Sequence, residues 1–219
     1  MSDRTFDLPA GLIGSDGRHH REVEIEPLSG RDEETLAGER GSPAALVTSL
    51  LARCTRRIGG LEPTTKENAR SLLVADRQYL LLQLRAVTFG PEVNADLPCP
   101  WPGCGARFSL NFSVHDIPVE VPVAVQQAYE FSLPREAQFT LPDGRNCTGL
   151  RYRLPNGSDQ EAVAELAKVR DARASEALLA RCLLDHADSN AVVDALPAST
   201  RSLIEAEIAR VAPRLETTL

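Results

Sequence analysis

No stretch of this 219-residue sequence approaches the roughly 20 consecutive apolar residues that span a bilayer. The segment Met1 to Gly17 has neither a basic start followed by an apolar stretch nor a cleavage site, so a cytoplasmic protein with no membrane partner is expected. A glycine-rich phosphate loop is missing too. Gly30-Arg31-Asp32 is not followed by lysine and Gly59-Gly60 follows a helical pattern, which argues against nucleotide binding. Basic charge is short: Lys plus Arg number 24 against 31 Asp plus Glu, and the net charge of -7 repels a phosphate backbone, so no nucleic acid is expected as a partner. Cysteine is sparse and scattered, at positions 54, 99, 104, 147 and 182, which is no secreted disulfide framework and leaves thiols or metal ligands. Nor does a serine or cysteine nucleophile stand in a recognisable pattern with a base, and no enzyme is expected.

What is present is the composition of a globular protein, 42% hydrophobic and 25% charged, enough to build a real core. Residues 1–21 are polar and glycine-bearing and read as a flexible N-terminal arm. Residues 22–91 read as a strand plus a helical segment. Val23 and Ile25 alternate with Glu22, Glu24 and Glu26, as in a strand with one wet face. Ser29 and Asp32 suit a helix N-cap and acidic first turn, predicting a short helix to Ala37 that Gly38 ends. Apolar residues then recur at helical spacing from Ala44 to Ile58, and a second helix is predicted from Thr64 or Thr65 to about Val87. That helix is apolar around most of its circumference. It must be buried, either as the central core helix or against a partner, for which Leu73, Tyr79, Leu80 and Leu84 are the candidate contacts.

Residues 92–154 change to a period of two. Val93, Ala95 and Leu97 alternate, then Phe108, Leu110 and Phe112, then Tyr129, Phe131 and Leu133, then Leu150, Tyr152 and Leu154. Turn signals at Pro142-Asp143-Gly144 and Pro155-Asn156-Gly157 separate the later runs. Residues 155–219 return to helical spacing, beginning with a capping box read at Ser158 and Glu161 and ending with a helix after Pro197 and Ser199. The expected fold class is α+β, a small antiparallel β meander flanked by N-terminal and C-terminal helices.

The sharpest local feature is Cys99-Pro100-Trp101-Pro102-Gly103-Cys104-Gly105, placed by the alternation at a hairpin tip. Two thiolates on a tight loop can grip one metal from one side, but a structural zinc takes four ligands. His115 and Cys147 are the candidates to complete it, both on the polar parity of their strands; otherwise the chain holds no cofactor, or the pair is completed by another chain. Cys54 and Cys182 lie on apolar helical stripes, where cysteine serves as a small core residue.

Four stretches carry a resemblance: Pro27-Leu28-Ser29-Gly30-Arg31-Asp32-Glu33; Asp76-Arg77-Gln78-Tyr79-Leu80-Leu81 through Thr88-Phe89-Gly90; the Cys99 to Gly105 loop with Asp116-Ile117-Pro118-Val119; and Arg153-Leu154-Pro155-Asn156-Gly157-Ser158-Asp159-Gln160. Together they resemble the T4-type baseplate hub assembly chaperones of contractile phage tails and phage-tail-like injection systems, over roughly Glu22 to Leu184. The resemblance implies a non-enzymatic protein that binds the baseplate hub or other tail proteins during assembly and is absent from the finished particle. It implies no catalytic residue, and this chain keeps only Cys99 and Cys104 of the fuller cysteine set seen in some relatives. The alternatives are a structural baseplate component that stays in the particle and a zinc-knuckle nucleic-acid adaptor suggested by Trp101 and the cysteine loop.

Overall fold

The computed structural model describes residues 4–14, 17–169, 171–184, 186 and 188–216. Strand β1 (Thr5–Ile13) runs antiparallel to β2 (His19–Ile25), with Phe6 opposite Val23 and Leu12 opposite His20. The flexible arm expected over 1–21 is thereby corrected for residues 5–13 and 19–21, while residues 1–3 and 15–16 lie outside the described residues. Leu8, Ala10 and Leu12 are buried, and burying that apolar run holds the segment in a sheet. Between Asp7 and Leu12 the register shifts, so β1 bulges around Pro9, which has no N–H to give the ladder.

Helix α1 (Gly30–Gly38) starts where the sequence indicates: the Asp32 N–H donates to Ser29 Oγ and the Ser29 N–H donates back to the Asp32 carboxylate. Helix α2 (Pro43–Cys54) is capped by Ser42 and ends earlier than expected. Residues 55–58 form β3 (Thr55–Ile58) instead, because Ile58 pairs with Val23 and is fully buried there. The long helix predicted after Thr65 is two, α3 (Lys66–Ser71) and α4 (Val74–Phe89). Leu72 and Leu73 between them are extended, since the Gly157 N–H donates to Leu72 O and the Val74 N–H to Pro155 O. Those partners lie more than eighty residues away in the chain, so no local signal announces the break.

After α4 come β4 (Glu92–Pro98), β5 (Arg107–Ser113), β6 (Val119–Glu120), β7 (Tyr129–Ser132), β8 (Phe139–Thr140), β9 (Asn146–Cys147) and β10 (Gly149–Tyr152). The C-terminal part holds α5 (Gly157–Ala167), α6 (Asp171–Cys182), β11 (Leu183–Leu184), α7 (Ser189–Asp194), α8 (Ala198–Val211) and β12 (Arg214–Leu215). The α+β class holds, but the single meander does not. The strands divide into small antiparallel sheets, β1–β2–β3, β11–β10–β7, β12–β6, β4–β5 and β8–β9, two of which take a strand from the C-terminal part. The cap of α5 also moves: Asn156 and Asp159 form the capping box expected at Ser158 and Glu161.

Two apolar cores result. The first lies between the β1–β3 sheet and α2, α3 and α4, around Leu8, Ile25, Leu51, Ile58 and Leu80. The second lies between β7, β10 and β11 and helices α6 to α8, around Tyr152, Leu179, Val193 and Ile204, with the rings of Tyr129 and Tyr152 stacked at 5.4 Å. A polar seam joins them. Arg77 of α4 is 1% exposed and donates to Ala69 O (2.7 Å), Ala44 O (3.0 Å) and Gln160 Oε1 of α5 (3.0 Å). Asp159 is fully buried and accepts from both Nη atoms of Arg153 (2.6 and 2.9 Å), Arg181 Nε (2.8 Å) and the Asn156 N–H (3.0 Å). A buried carboxylate needs such partners to stay ionised. Burial pushes Asp159 up, and Arg153, the Asn156 N–H and Arg181 together more than offset it, leaving its carboxyl below the usual range.

Candidate functional site

The β4–β5 hairpin is built from two seven-residue alternations joined by the cysteine loop. Its register sets Val93 opposite Phe112, Ala95 opposite Leu110 and Leu97 opposite Phe108, all on one face. The other face carries Glu92, Asn94, Asp96 and Pro98 across from Ser113, Asn111, Ser109 and Arg107. Such a ribbon normally lays its apolar face on a core. Here neither strand has a single buried residue: Leu97 and Phe108 are 40% and 45% exposed, and Trp101 at the tip is 76% exposed. At about 3.3 Å per residue the paired strands extend roughly 20 Å.

The root of the hairpin is fixed to the body. Arg85 of α4 donates to Gly90 O through Nη1 and to Glu92 O through Nη2, and the Val114 N–H donates to Pro91 O at 2.9 Å. A two-stranded ribbon is at best marginally stable alone in water. Covering its apolar face with a partner recovers about 1.5–3 kcal/mol for each large side chain fully buried. What this arrangement offers is exposed apolar surface at the outer end of an anchored ribbon.

The cysteine pair lies at the tip, as expected. The Cys99 N–H donates to Ala106 O at 2.7 Å, and the Cys104 thiol is held below its ordinary value by the Ala106 N–H and then by Cys99. Cys147 and His115 do not join them. Cys147 is buried in the second core and donates its S–H to Gly149 O at 3.2 Å, its thiol raised by that burial. His115 lies in a 3₁₀ turn just past β5, at the hairpin's root, where with Phe6, Tyr79, Leu82 and Gln83 it lines a groove of about 340 Å³. Among the described residues no three His, Cys, Asp or Glu side chains converge as a metal would require. Cys54 and Cys182 are core residues, burial raising the first to about 11 and the second to about 12.

The contacts expected on α4 are corrected by burial. Leu80 and Leu84, 0% and 5% exposed, belong to the first core; Tyr79 packs half-buried against it, and Leu73 turns to the second core while bridging to Asn156. Leu80 and Leu84 are spent within the chain itself, whereas half-buried Tyr79 lines the groove beside His115. On the hairpin face Val93, Ala95, Leu110 and Phe112 are half-buried and Leu97 and Phe108 exposed, an alternation visible in the sequence although its exposure is not.

The motifs behind the resemblance divide in two. Arg77 and the Arg153–Gln160 segment build the seam between the cores, and the cysteine loop forms the hairpin tip. Among the described residues no helix is long and apolar enough to cross a membrane. The family described as T4 bacteriophage base plate protein matches the chain over residues 13–218. No curated protein and no solved structure matches it significantly.

Proposed function

Because the chain belongs to the family of T4 bacteriophage base plate proteins, we propose that it is a non-enzymatic assembly factor for the baseplate hub of a contractile phage tail or tail-like injection particle. Family membership supports a role at the baseplate alongside other tail proteins. The hairpin carries the rest of the reading. It is an anchored ribbon with an open apolar face, suited to hold a client surface that is later buried in the finished hub. A folded body with two cores and a buried polar seam provides the rigid base from which that arm is offered.

The family description itself names a base plate protein, which favours as a second reading a component retained in the particle. One experiment separates them. The tagged chain is expressed with the neighbouring tail genes, captured, and its companions identified by mass spectrometry, while mature particles are analysed in parallel. Hub or baseplate proteins in the capture, with this chain missing from particles, is the expected result. Stoichiometric retention in particles sinks the assembly-factor reading, and capture of no tail protein sinks both.

A further inference from the structure

The groove at the hairpin's root, about 340 Å³ in volume, holds an unsatisfied polar group. Of the residues lining it, Gln83 and Val114 are buried, at 6% and 3% exposed, while His115 and Val119 are exposed. The Gln83 Oε1 is shut away from solvent and accepts no hydrogen bond among the described residues. A buried acceptor left without a donor costs stability, which a donor brought by a partner restores. Val114 ties the groove to the ribbon. It follows Phe108, Leu110 and Phe112 at two-residue steps, and its N–H on Pro91 O continues the β4–β5 ladder one pair beyond Glu92 and Ser113. The apolar row of the hairpin therefore ends in the groove, and the two form one track.

The same part of the chain gathers exposed apolar surface and negative charge. Six of the nine large apolar side chains exposed among the described residues, Phe89, Leu97, Trp101, Phe108, Val119 and Val121, lie within residues 86–134. That segment carries five carboxylates, Glu92, Asp96, Asp116, Glu120 and Glu130, against Arg107 alone, a net -4 of the chain's -7. Two more cations reach it and are already engaged, Arg85 by the carbonyls of Gly90 and Glu92 and Arg214 by Glu120 and Glu216. We propose that this track binds a basic, apolar peptide segment of a tail protein in extended form. One large side chain of the segment sits in the groove, a backbone N–H beside it donates to Gln83 Oε1, and its lysine or arginine side chains meet the carboxylates. This rests on the reading of the hairpin as the client-binding arm. Among the described residues both outer edges of the two-stranded β4–β5 ribbon lack a partner strand, so an extended segment has a ladder to join, and its alternate side chains then add to the apolar face. Opposite charge draws a basic segment in and turns acidic ones away.

The test pans a display library of random peptides, about twelve residues long so as to run the length of the ribbon and reach the groove, on the full chain immobilised under reductant. Enriched peptides are then measured by fluorescence anisotropy. They should be net positive with at least one large apolar residue, and their binding should weaken as salt rises. Val119→Lys puts a cation at an exposed lining position and should weaken binding about tenfold. Gln83→Met keeps the volume and removes the acceptor, and should weaken binding about fivefold while leaving Tm no lower. Val169→Lys, 79% exposed and outside the track, should bind as the wild type does. The charge preference is read on the native chain and stands even where a variant fails to fold. Peptide selection needs no tail protein, so its failure is distinct from a capture that brings down no tail protein. Enrichment of acidic or uncharged peptides, no enrichment, full affinity in either groove variant, or a dimer by light scattering that Val119→Lys dissolves, which gives the groove to a second copy, each overturns the proposal.

Discussion

Replacing Asp159 by Asn tests how much the buried cluster of Asp159 with Arg153 and Arg181 contributes to stability. The carboxylate is fully buried and accepts four hydrogen bonds, three of them from Arg153 and Arg181. Asn keeps an oxygen to cap α5 but removes the charge that two guanidinium groups face. Breaking a buried pair from one side costs about 3–5 kcal/mol, because the partner is left charged and poorly solvated. Arg181, with its side chain 41% exposed, regains water readily, whereas Arg153, at 28%, regains less. The lower end, about 3 kcal/mol, is therefore expected. For a chain of this size that lowers Tm by roughly 6–12 °C, measured by circular dichroism or calorimetry at pH 7. Arg181→Ala, which leaves the Arg153 pair in place, should cost less than about 1 kcal/mol. The Asp159 carboxyl is depressed in the folded state, so its contribution is present above the unfolded value near 3.9 and is lost as pH falls through the folded value. Wild type and variant should accordingly converge in acid. A Tm drop under about 2 °C at pH 7 would refute a substantial contribution of this buried charge cluster to stability.

Asp76 predicts the opposite pH dependence. Burial pushes it up to about 6 despite the Ala10 and Gly11 N–H donors at 2.8 and 3.1 Å and the nearby Arg21, so the folded state favours the neutral acid. Its folded value lies above the unfolded one, so wild type should lose about 2–3 kcal/mol relative to Asp76→Asn as pH rises from about 4 to about 6, and no more above that. Urea midpoints of both proteins across that range check it, and a difference independent of pH contradicts the assignment. Gly157→Ala should destabilise by about 1–3 kcal/mol by overpacking, since a Cβ there would collide with the Arg77 guanidinium, which three hydrogen bonds hold in place, and would lie 3.0 Å from Arg70 O. Normal thermal stability of this variant would show that Arg77 moves freely. Leu97→Asp with Phe108→Asp should change Tm by only a few degrees, both side chains being partly solvated already, while abolishing capture of tail proteins. Undiminished capture would locate the docking surface elsewhere.

Legibility followed the range of the interactions. The N-cap of α1 and the start of α2, the alternation of β4 and β5 with the cysteine loop at their turn, and the C-terminal helix α8 are set by neighbours a few residues apart, and each could be read along the chain. The resemblance carried by Arg77, by Arg153 to Gln160 and by the Cys99 loop was legible as words without their meaning: the first two are scaffold and the third is a tip. Apolar spacing around α4 required Leu80 and Leu84 to be buried but could not say against what. The β1–β3 sheet supplies that cover, including a β1 that the polar look of residues 1–21 concealed. The break at Leu72 and Leu73, the division of the meander and the pairing of Asp159 with Arg181 depend on segments far apart in sequence. Two-fold periodicity specified that the hairpin has one apolar face. Whether that face meets the protein's own core or water is a matter of how much apolar surface the rest of the chain has left to cover it, and only the tertiary structure, with both cores already closed, decided that it stays open.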